Sequence, residues 1–554
     1  MSPLNLQVMD FFEILNNTSE QRLKYRELCA MLLNSETKAG EIVKCLTFLR
    51  DNIFLLDKEK EHFVGTLLNV NWIERNEEVQ ILYEEVILNL VSAHTCYLPS
   101  VLRMIVLKFY AGKNAVEKSF ITSEDAEVFK KLHSLLKRII KLVPLSPQVL
   151  MSMLATNYPY IRKCSYIHLC YVENILKISE YLPEERRNLL QLIVSNMLDI
   201  DVHCPKSDIE DAELEENSMF PMEVDREESE ENVRMRHPLA NTLDILMERL
   251  FTFIDNVCKR KDSCLDWEAT KKLYKEFLLL FERLILPTHA CAHVQFVMFY
   301  ICSFKQPLYE GFIDYLWKKV QNVNLPSVIR QACACYIGSF LARASYVSIN
   351  GLRDILTIMT NWIHKYIDSQ CENAQCITDA VIHGTFYTVC QTVFYVFVFH
   401  HKELIETENG LKYVRKLNFE RIVNCRLNPL KTCLSSVVAN FANITKTYQI
   451  VYCYTIVERN NRRIIPVVAH ASGISQSINV TRLDIYFPFD PYVLKISGER
   501  IQNLYRIYKQ PSEEENEMKD EEFVPESSPS SATMSDGLSF GTATYLGSAI
   551  LKDR

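Results

Sequence analysis

Two adjacent apolar segments between Leu286 and Ala344 constrain the fold of this 554-residue chain most strongly. They read LPTHACAHVQFVMFYICSFK (286–305) and LPSVIRQACACYIGSFLARA (325–344), and each predicts a long helix. Pro326 suits the start of the second helix, where its fixed φ and missing N–H are tolerated. At 3.6 residues per turn this helix has a large apolar face and a small-residue face opposite: Ile329, Cys333, Ile337, Phe340, Ala344, and Gln331, Ala334, Gly338, Ala342. A helix with two faces of the buried type is sandwiched between neighbours, as in a stacked helical array or the centre of any large all-α domain.

The composition favours helices and provides no pattern for a nucleotide site or a catalytic centre. The 13 glycines amount to about a third of the ~7% usual in globular proteins, which leaves few residues for tight turns. The sequence has no GxGxxG, GxxxxGK[ST], GxSxG or HExxH motif and no set of kinase loop motifs. We therefore expect a protein without enzymatic activity, nucleotide or cofactor.

The cysteines and histidines do not form a metal-binding pattern. The chain opens MSPLNLQVMDFFEILNN, without the regions of a secretory leader, so we expect its 18 cysteines to stay reduced and to pack as small hydrophobes. No CxxC occurs, and the close group His289, Cys291 and His293 lacks the glutamate of a hydrolytic zinc helix. We expect these side chains to pack within a helix rather than to bind a metal.

The longest apolar run extends from Phe386 to Phe399 and has fourteen residues. A helix that crosses the hydrocarbon core of a membrane needs about 20 apolar residues. The run therefore predicts a buried helix in a soluble protein that has no membrane partner.

Helical pairs recur along the chain. One pair consists of 159–180 and 183–201, and similar helices are predicted at 125–142, 270–286 and 309–320. At ~40 to 47 residues per repeat, about 500 structured residues correspond to roughly ten or eleven helical hairpins. We therefore predict an all-α, HEAT-repeat-like α-solenoid over residues 1–510.

The segment Tyr448–Val468 departs from the helical pattern. It is rich in β-branched and aromatic residues around Asn460 and Asn461, which would suit a β-hairpin turn. It also fits a buried helix, and in an otherwise helical chain we favour that interpretation, with four side chains directed inward: Val451, Tyr452, Thr455 and Ile456.

Two acidic segments offset the positive charge of the rest of the chain, which we call the basic body. Residues 208–231 carry a net charge of −11 and residues 512–526 carry −7, so the rest of a chain with a net charge of −8 carries about +10. Charged segments with little apolar surface are expected to be disordered, which predicts an acidic insertion at 205–236 and an acidic, Ser-rich regulatory tail at 511–554. The acids either only solvate the protein or fold back on the basic body and compete with an anionic partner.

The tail offers two candidate phosphorylation sites. Ser512 precedes three glutamates, and Ser528 precedes Pro529, so they suit an acidophilic and a proline-directed kinase respectively.

Short basic clusters occur elsewhere in the chain. They lack interleaved aromatic residues and fit solvated helix ends or protein contacts better than a DNA-reading surface: Lys130, Lys131, Lys137, Arg138; Lys259, Arg260, Lys261; Arg459, Arg462, Arg463.

Six sequence blocks resemble the family of RNA polymerase I-specific transcription initiation factors of the TIF-IA type. They follow the order of the family and cover most of the C-terminal half: PTHACAHVQFVMFYICSFK (287–305), IRQACACYIGSFLARASYV (329–347), HGTFYTVCQTVFYVFVFHHKEL (383–404), LNFERIVNCRLNPLKTCLSSVV (417–438), YQIVYCYTIVERNNR (448–462) and FPFDPYVLK (487–495). The N-terminal half is less similar, chiefly through LDIDVHCPKSDIEDAELEE, which leads into the acidic insertion.

This resemblance implies a nuclear and nucleolar phosphoprotein built from HEAT repeats. Such a factor binds the stalk of RNA polymerase I and links the enzyme to the promoter-bound selectivity factor, which contains TBP-associated factors. Phosphorylation by regulatory kinases then couples ribosomal RNA synthesis from ribosomal DNA to growth. The short basic clusters predict no strong direct DNA binding. A homodimer stays open, because apolar helix faces at the ends of an array must be capped or paired. The alternative is a scaffold or nuclear-transport-type adaptor with the same architecture.

The resemblance also indicates candidate contact residues. The family's LARA motif, which is implicated in contacting the selectivity factor, corresponds to Leu341, Ala342, Arg343 and Ala344. We expect Arg343 at the rim of the apolar face, where it either reaches the partner or only packs the end of the helix. Polymerase contact is implied for a serine-containing N-terminal surface and for 448–495 without individual residues, and nearby serines are Ser134, Ser146 and Ser152.

Overall fold

The described part of the chain folds mainly into helices. A computed structural model of the protein describes residues 22–110, 120–219, 234–260, 262, 264–289, 291–371, 380–462 and 487–508. Within these ranges, backbone pairing of the β type is limited to two isolated bridges, so the all-α prediction is confirmed. Contacts divide the chain into two compact units, Met1–Phe253 and Ile254–Arg554, a division that the sequence periodicity did not predict.

The first unit is a stack of helices in two layers. Helices α2, α4, α6 and α8 contact one another in succession, and α1, α3, α5, α7 and α9 do the same in the other layer. This contact of each helix with the next but one along the chain is typical of a solenoid. The helices are α1 (Arg22–Leu33), α2 (Ala39–Asp51), α3 (Glu61–Leu68), α4 (Glu77–Ala93), α5 (Leu98–Leu107), α6 (Ser123–Leu142), α7 (Ser146–Thr156), α8 (Ser165–Tyr181), α9 (Arg186–Val202) and α10 (Lys206–Met219).

Aromatic and polar contacts fix the helices of this first unit. Trp72 stacks on Tyr83 with ring centroids 5.2 Å apart, and the Tyr83 hydroxyl donates to the Leu67 carbonyl at 3.0 Å. Burial lowers the pKa of His133 to about 4, and its ring lies 2.9 Å from the side chains of both Asn174 and Tyr181. The predicted pair of helices at 159–180 and 183–201 is present as α8 and α9, which begin later than expected.

The second unit is built around α15 and α17. Helix α15 contacts α14 and α17, and α17 also contacts α16 and α21. The division between the units falls within α11. The helices from there onward are α11 (Pro238–Cys258), α12 (Trp267–Leu280), α13 (Phe296–Cys302), α14 (Gln306–Gln321), α15 (Ser327–Arg343), α16 (Ile349–Cys371), α17 (Ala380–Glu406), α18 (Gly410–Lys416), α19 (Phe419–Val423), α20 (Pro429–Thr432), α21 (Ser435–Thr447), α22 (Tyr454–Arg462) and α23 (Gly498–Gln502).

From Cys333 onward, helix α15 is enclosed on all sides, as its two apolar faces predicted, whereas residues 327–332 are exposed or half-buried. Every residue from Cys333 to Ala344 is buried. Gly338 allows close approach to α17, since a Cβ added there would lie 2.9 Å from the Thr392 methyl group. The Thr392 hydroxyl donates to the Ala334 carbonyl at 3.0 Å, which satisfies a polar group inside this contact.

Helix α17 contains the apolar run for which a buried helix was predicted. Its segment Val381–Glu406 has the length and composition of a membrane span. However, 89% of its most apolar 18-residue stretch is buried inside the protein. Contacts with α15, α16 and α21 account for this burial.

Two helix predictions in the second unit were wrong in part. Residues 286–305 do not form one long helix, because the chain turns after a π-helical segment, Phe281–Ile285, and becomes helical again only in α13. In the segment 448–468, α22 begins at Tyr454, and residues 463–468 lie outside the described residues. Val451 and Ile456 are buried as expected, whereas the side chains of Tyr452 and Thr455 are exposed.

The acidic insertion begins as a helix, which differs from the disorder predicted for 205–236. In α10, Ile209 is only 1% exposed, and the Glu213 carboxylate accepts a 3.0 Å hydrogen bond from the Arg236 backbone N–H. Among the side chains of 206–214, Ile209 is the buried apolar anchor. This burial and the contact with Arg236 help to hold a segment whose average composition is strongly polar. The remainder of the insertion, 220–233, and the tail from 509 lie outside the described residues.

Candidate partner-binding site

The LARA motif forms the buried end of α15. Leu341, Ala342 and Ala344 have no exposed surface, and Arg343 is 3% exposed. The expectation that Arg343 lies at an accessible rim is therefore wrong, because residues 487–508 cover the end of the helix. We call residues 487–508 the strap.

Arg343 connects the helix to the strap. Its guanidinium lies 4.8 Å from the Phe399 ring centroid and 5.2 Å from that of Tyr505, and a nitrogen lies 3.9 Å from an Asp490 oxygen. Stacking on aromatic rings and a nearby carboxylate compensate a buried guanidinium for its lost hydration. Arg343 thus joins α17 to both ends of the strap.

The backbone at the end of the motif pairs with the strap. The Arg506 N–H donates to the Arg343 carbonyl at 2.7 Å, and the Ser345 N–H donates to the Leu504 carbonyl at 2.9 Å. These bonds flank the antiparallel bridge between Ala344 and Tyr505. The chain leaves α15 in an extended conformation at Ala344, with φ −74° and ψ 111°, which permits this pairing.

Phe489 anchors the other end of the strap. It is fully buried, and its ring centroid lies 5.2 to 5.7 Å from four rings of α13 and α15: Phe296, Phe299, Tyr336 and Phe340. The Phe489 N–H donates to the Ser339 hydroxyl at 2.8 Å. The strap thus completes the aromatic core of the second unit.

Charged contacts fasten the strap at two further points. Arg500 pairs with Asp255 at 2.7 Å, and Arg506 pairs with Glu403. Hydrogen bonds from His400, the larger effect, and from Arg506 lower the pKa of Glu403 to about 2. His400 also contacts the Leu341 carbonyl at 2.9 Å, so this polar cluster reaches the LARA motif.

The serines proposed near the polymerase-binding surface differ in accessibility. Ser134 on α6 and Ser152 on α7 are exposed. Ser146 is fully buried, and its hydroxyl donates to the Val143 carbonyl at 2.6 Å, so it helps form the turn between these helices. The candidate phosphorylation sites Ser512 and Ser528 lie outside the described residues.

The His/Cys group predicted on a helix lies in the irregular chain before α13. Cys291 and His293 are buried, and the Cys291 thiol contacts the Gln295 side chain at 2.7 Å. The His293 ring packs edge-on against Tyr492 of the strap at 5.4 Å. Among the described residues, no group of three or more metal-ligating side chains is present.

The strap is the element that motif analysis missed. Its apolar residues are short runs within 487–508, and the anchor Phe489 is one aromatic residue in the sequence FPFDP. The density of aromatic residues in 296–300 and 336–340 indicates a large ring cluster but not which residue fills it. The alternative interpretation of the LARA motif, a packed helix end, agrees with the observed burial.

Comparison with known proteins identifies the family. Residues 11–513 match the model of the family described as RNA polymerase I specific transcription initiation factor RRN3. The chain is 38% identical over 533 residues to the RNA polymerase I-specific transcription initiation factor RRN3 of Mus musculus, which covers 90% of this chain and 81% of that protein. It is 26% identical to the factor rrn3 of Schizosaccharomyces pombe, over 85% of this chain and 80% of that protein.

The fold also has a solved counterpart. The crystal structure of RNA polymerase I transcription initiation factor Rrn3 matches with a TM-score of 0.71 over 91% of this chain and 99% of that chain, at 20% sequence identity. This likeness supports the all-α, solenoid-like fold, whereas the assignment to HEAT repeats stays a prediction. The family model and the mouse relative together carry the assignment by sequence: this chain belongs to the family of RNA polymerase I-specific transcription initiation factors.

Proposed function

We propose that this protein is an initiation factor that binds RNA polymerase I and links it to the promoter-bound selectivity factor. The match over residues 11–513 carries the proposal, because it spans both compact units rather than one shared module. In this role the protein acts by binding and contributes no catalytic step. It works in the nucleus, at the nucleolar ribosomal genes, and regulatory kinases adjust its activity, with Ser512 and Ser528 as candidate targets.

The LARA motif contributes to capture of the selectivity factor through the strap. Arg343 is buried, so it is a positioning residue rather than a contact residue. It holds the Tyr505 end of the strap by stacking and backbone pairing, and the outer surface of the strap is then available to the partner. This mechanism predicts that loss of Phe489, at the other end of the strap, has the same effect as loss of Arg343.

Polymerase binding is tested by mixing the purified full chain with RNA polymerase I and separating the mixture by size-exclusion chromatography. We expect a stoichiometric complex with RNA polymerase I and none with RNA polymerase II. The chain is compared in phosphorylated and dephosphorylated forms. The elution volume of the chain without polymerase reports whether it forms a homodimer. Failure of both forms to bind would leave only the scaffold or transport-type adaptor.

Capture of the selectivity factor is tested with three variants. We expect Arg343→Ala and Phe489→Ala each to weaken capture of the selectivity factor by about tenfold. Arg343→Ala, which lies outside 448–495, should leave polymerase binding intact. Ile507→Ala, at a position that is 73% exposed on the strap, probes the outer surface directly. A defect in Arg343→Ala without one in Phe489→Ala would contradict the role of the strap.

A further inference from the structure

A group of exposed basic residues follows the end of α17. Residues 410–431 carry six basic side chains and one acidic side chain, a net charge of +5 in 22 residues. Five of the basic side chains are exposed along this segment, which runs back beside α17 from Leu404 to Tyr387. We call these five side chains the basic face: Lys412, Arg415, Lys416, Arg426 and Lys431. Within the described part of the chain, none of these five forms an ion pair. The sixth, Arg421, pairs with Asp368.

The basic cluster on α6 is different because its charges already have partners. Arg138 pairs with Glu84 at 2.7 Å, and Lys130 lies 3.6 Å from Glu127. Lys137 lies over the Tyr181 ring at 4.8 Å. Uncompensated like charges that lie close in sequence repel one another, so the basic face favours an anionic ligand more than α6 does.

The strap ends close to the start of this segment, at the C-terminal end of α17. Its last described residue, Tyr508, packs against Phe399 at 4.8 Å, and Arg506 pairs with Glu403 in the final turns of α17. Helix α18 folds back onto the same end of α17, since a Cβ added at Gly410 would collide with the Leu404 carbonyl oxygen. The exit point of the tail and the start of the basic face therefore share one end of α17.

The sequence beyond the strap is acidic and within reach. Glu513 lies five residues after Tyr508, and five extended residues span up to about 17 Å. The segment 513–522 contains seven carboxylates, which we call the tail acids: Glu513, Glu514, Glu515, Glu517, Asp520, Glu521 and Glu522. A tether this short gives an effective concentration of about millimolar, so individually weak exposed ion pairs suffice for occupancy.

We propose that the tail acids bind the basic face of their own chain. The tail then acts as a tethered polyanion that an external anionic partner must displace. Phosphorylation of Ser512, directly before Glu513, would add about −1.5 to −2 charges and strengthen the contact. The inference does not depend on polymerase binding.

Zero-length crosslinking of the full chain tests this contact. A water-soluble carbodiimide joins a carboxylate to a lysine amine only where the two groups touch, and mass spectrometry identifies the amide. We expect the tail acids to couple to Lys412, Lys416 or Lys431 at least about fivefold more than to Lys130 or Lys141, and to lose this preference at 1 M salt. Mixing unlabelled and ¹⁵N-labelled protein should yield few mixed-isotope products, because the contact is within one chain.

A double substitution separates binding from crosslinking chemistry. Arg415→Gln with Arg426→Gln removes two charges of the basic face but no amine, so we expect the tail crosslinks to fall to about half or less. The control, Arg162→Gln with Arg187→Gln, removes the same charge from exposed positions of the first unit and should leave the yield unchanged. Yields equal in both variants, an even distribution over all lysines, or mainly mixed-isotope products would overturn the proposal.

Discussion

At the scale of single residues, Arg343 tests whether the LARA motif stabilises the fold. We expect Arg343→Ala to lower the free energy of unfolding by about 2–4 kcal/mol, because it removes the positive charge beside Asp490 and the packing of the guanidinium between two rings. Thermal unfolding followed by circular dichroism should show a Tm of the second unit that is lower by about 3–6 °C. The exposed Arg415→Ala is the control, and a Tm of Arg343→Ala equal to it would contradict the structural role.

Glu403 should make stability depend on pH in a defined range. Its pKa falls from 4.5 to about 2 in the folded protein, first through His400 and then through Arg506. Since the folded pKa is the lower one, the carboxylate stabilises the protein above about pH 4.5, and this contribution is lost as the pH falls toward 2. We expect Glu403→Gln to have a lower Tm than the native protein at pH 6, and the difference to shrink below pH 4.5.

Solvent limits the size of that effect. The Glu403 side chain is 48% exposed, so the Tm difference should be small and should decrease further in 1 M salt. Glu499→Gln in α23 provides a carboxylate control in the strap. An unchanged difference between pH 6 and pH 3 would contradict the assigned role of Glu403.

At the scale of elements, the strap is a short segment that depends on a few anchors. We expect Phe489→Ala to destabilise the docked strap by about 3–5 kcal/mol, because it empties a site lined by four aromatic rings. Hydrogen exchange should then accelerate at the amides of Ser345 and Arg506, whose N–H groups donate to the carbonyls of Leu504 and Arg343 beside the bridge. Helices α4 and α6 of the first unit should keep their protection.

Ile507→Ala is the matched control for that experiment. Its side chain is 73% exposed and contributes little burial, so exchange at Ser345 and Arg506 should stay at the native rate. If Phe489→Ala also left these rates unchanged, the strap would not depend on its aromatic anchor.

At the scale of the whole molecule, the acidic insertion gives a prediction about polyanion binding. Deletion of 208–231 is unsuitable because it removes the buried Ile209 of α10. Neutralising six acids instead changes the net charge from −8 to −2: Glu223, Asp225, Glu227, Glu228, Glu230 and Glu231. If these acids compete for the basic body, heparin should bind the variant up to about tenfold more tightly at 50 mM salt.

The salt dependence of heparin binding distinguishes the two roles of the insertion. The advantage of the variant should vanish near 1 M salt, where the screening length is about 3 Å. Equal affinity of variant and native protein at every salt concentration would mean that the insertion only solvates the chain.

The spacing of apolar residues and the amino-acid composition by themselves determined the all-α class and the burial of α15 from Cys333 onward. A helix with buried-type residues all around leaves no face for solvent, whatever its neighbours are. The order of the blocks in the C-terminal half indicated the family, and the comparisons confirmed it. The short α13 was missed because an apolar run does not show where the chain turns.

Only the tertiary structure decided which residues cover that helix. Phe489 and Arg506 follow Arg343 by 146 and 163 positions, and local periodicity carries no information about contacts at such separations. The same holds for α10, whose composition does not favour a helix. The burial of Ile209 and the contact with Arg236 help to hold it in place. Helical tendency is local, whereas the burial of Arg343 and the folding of α10 depend on packing between distant segments.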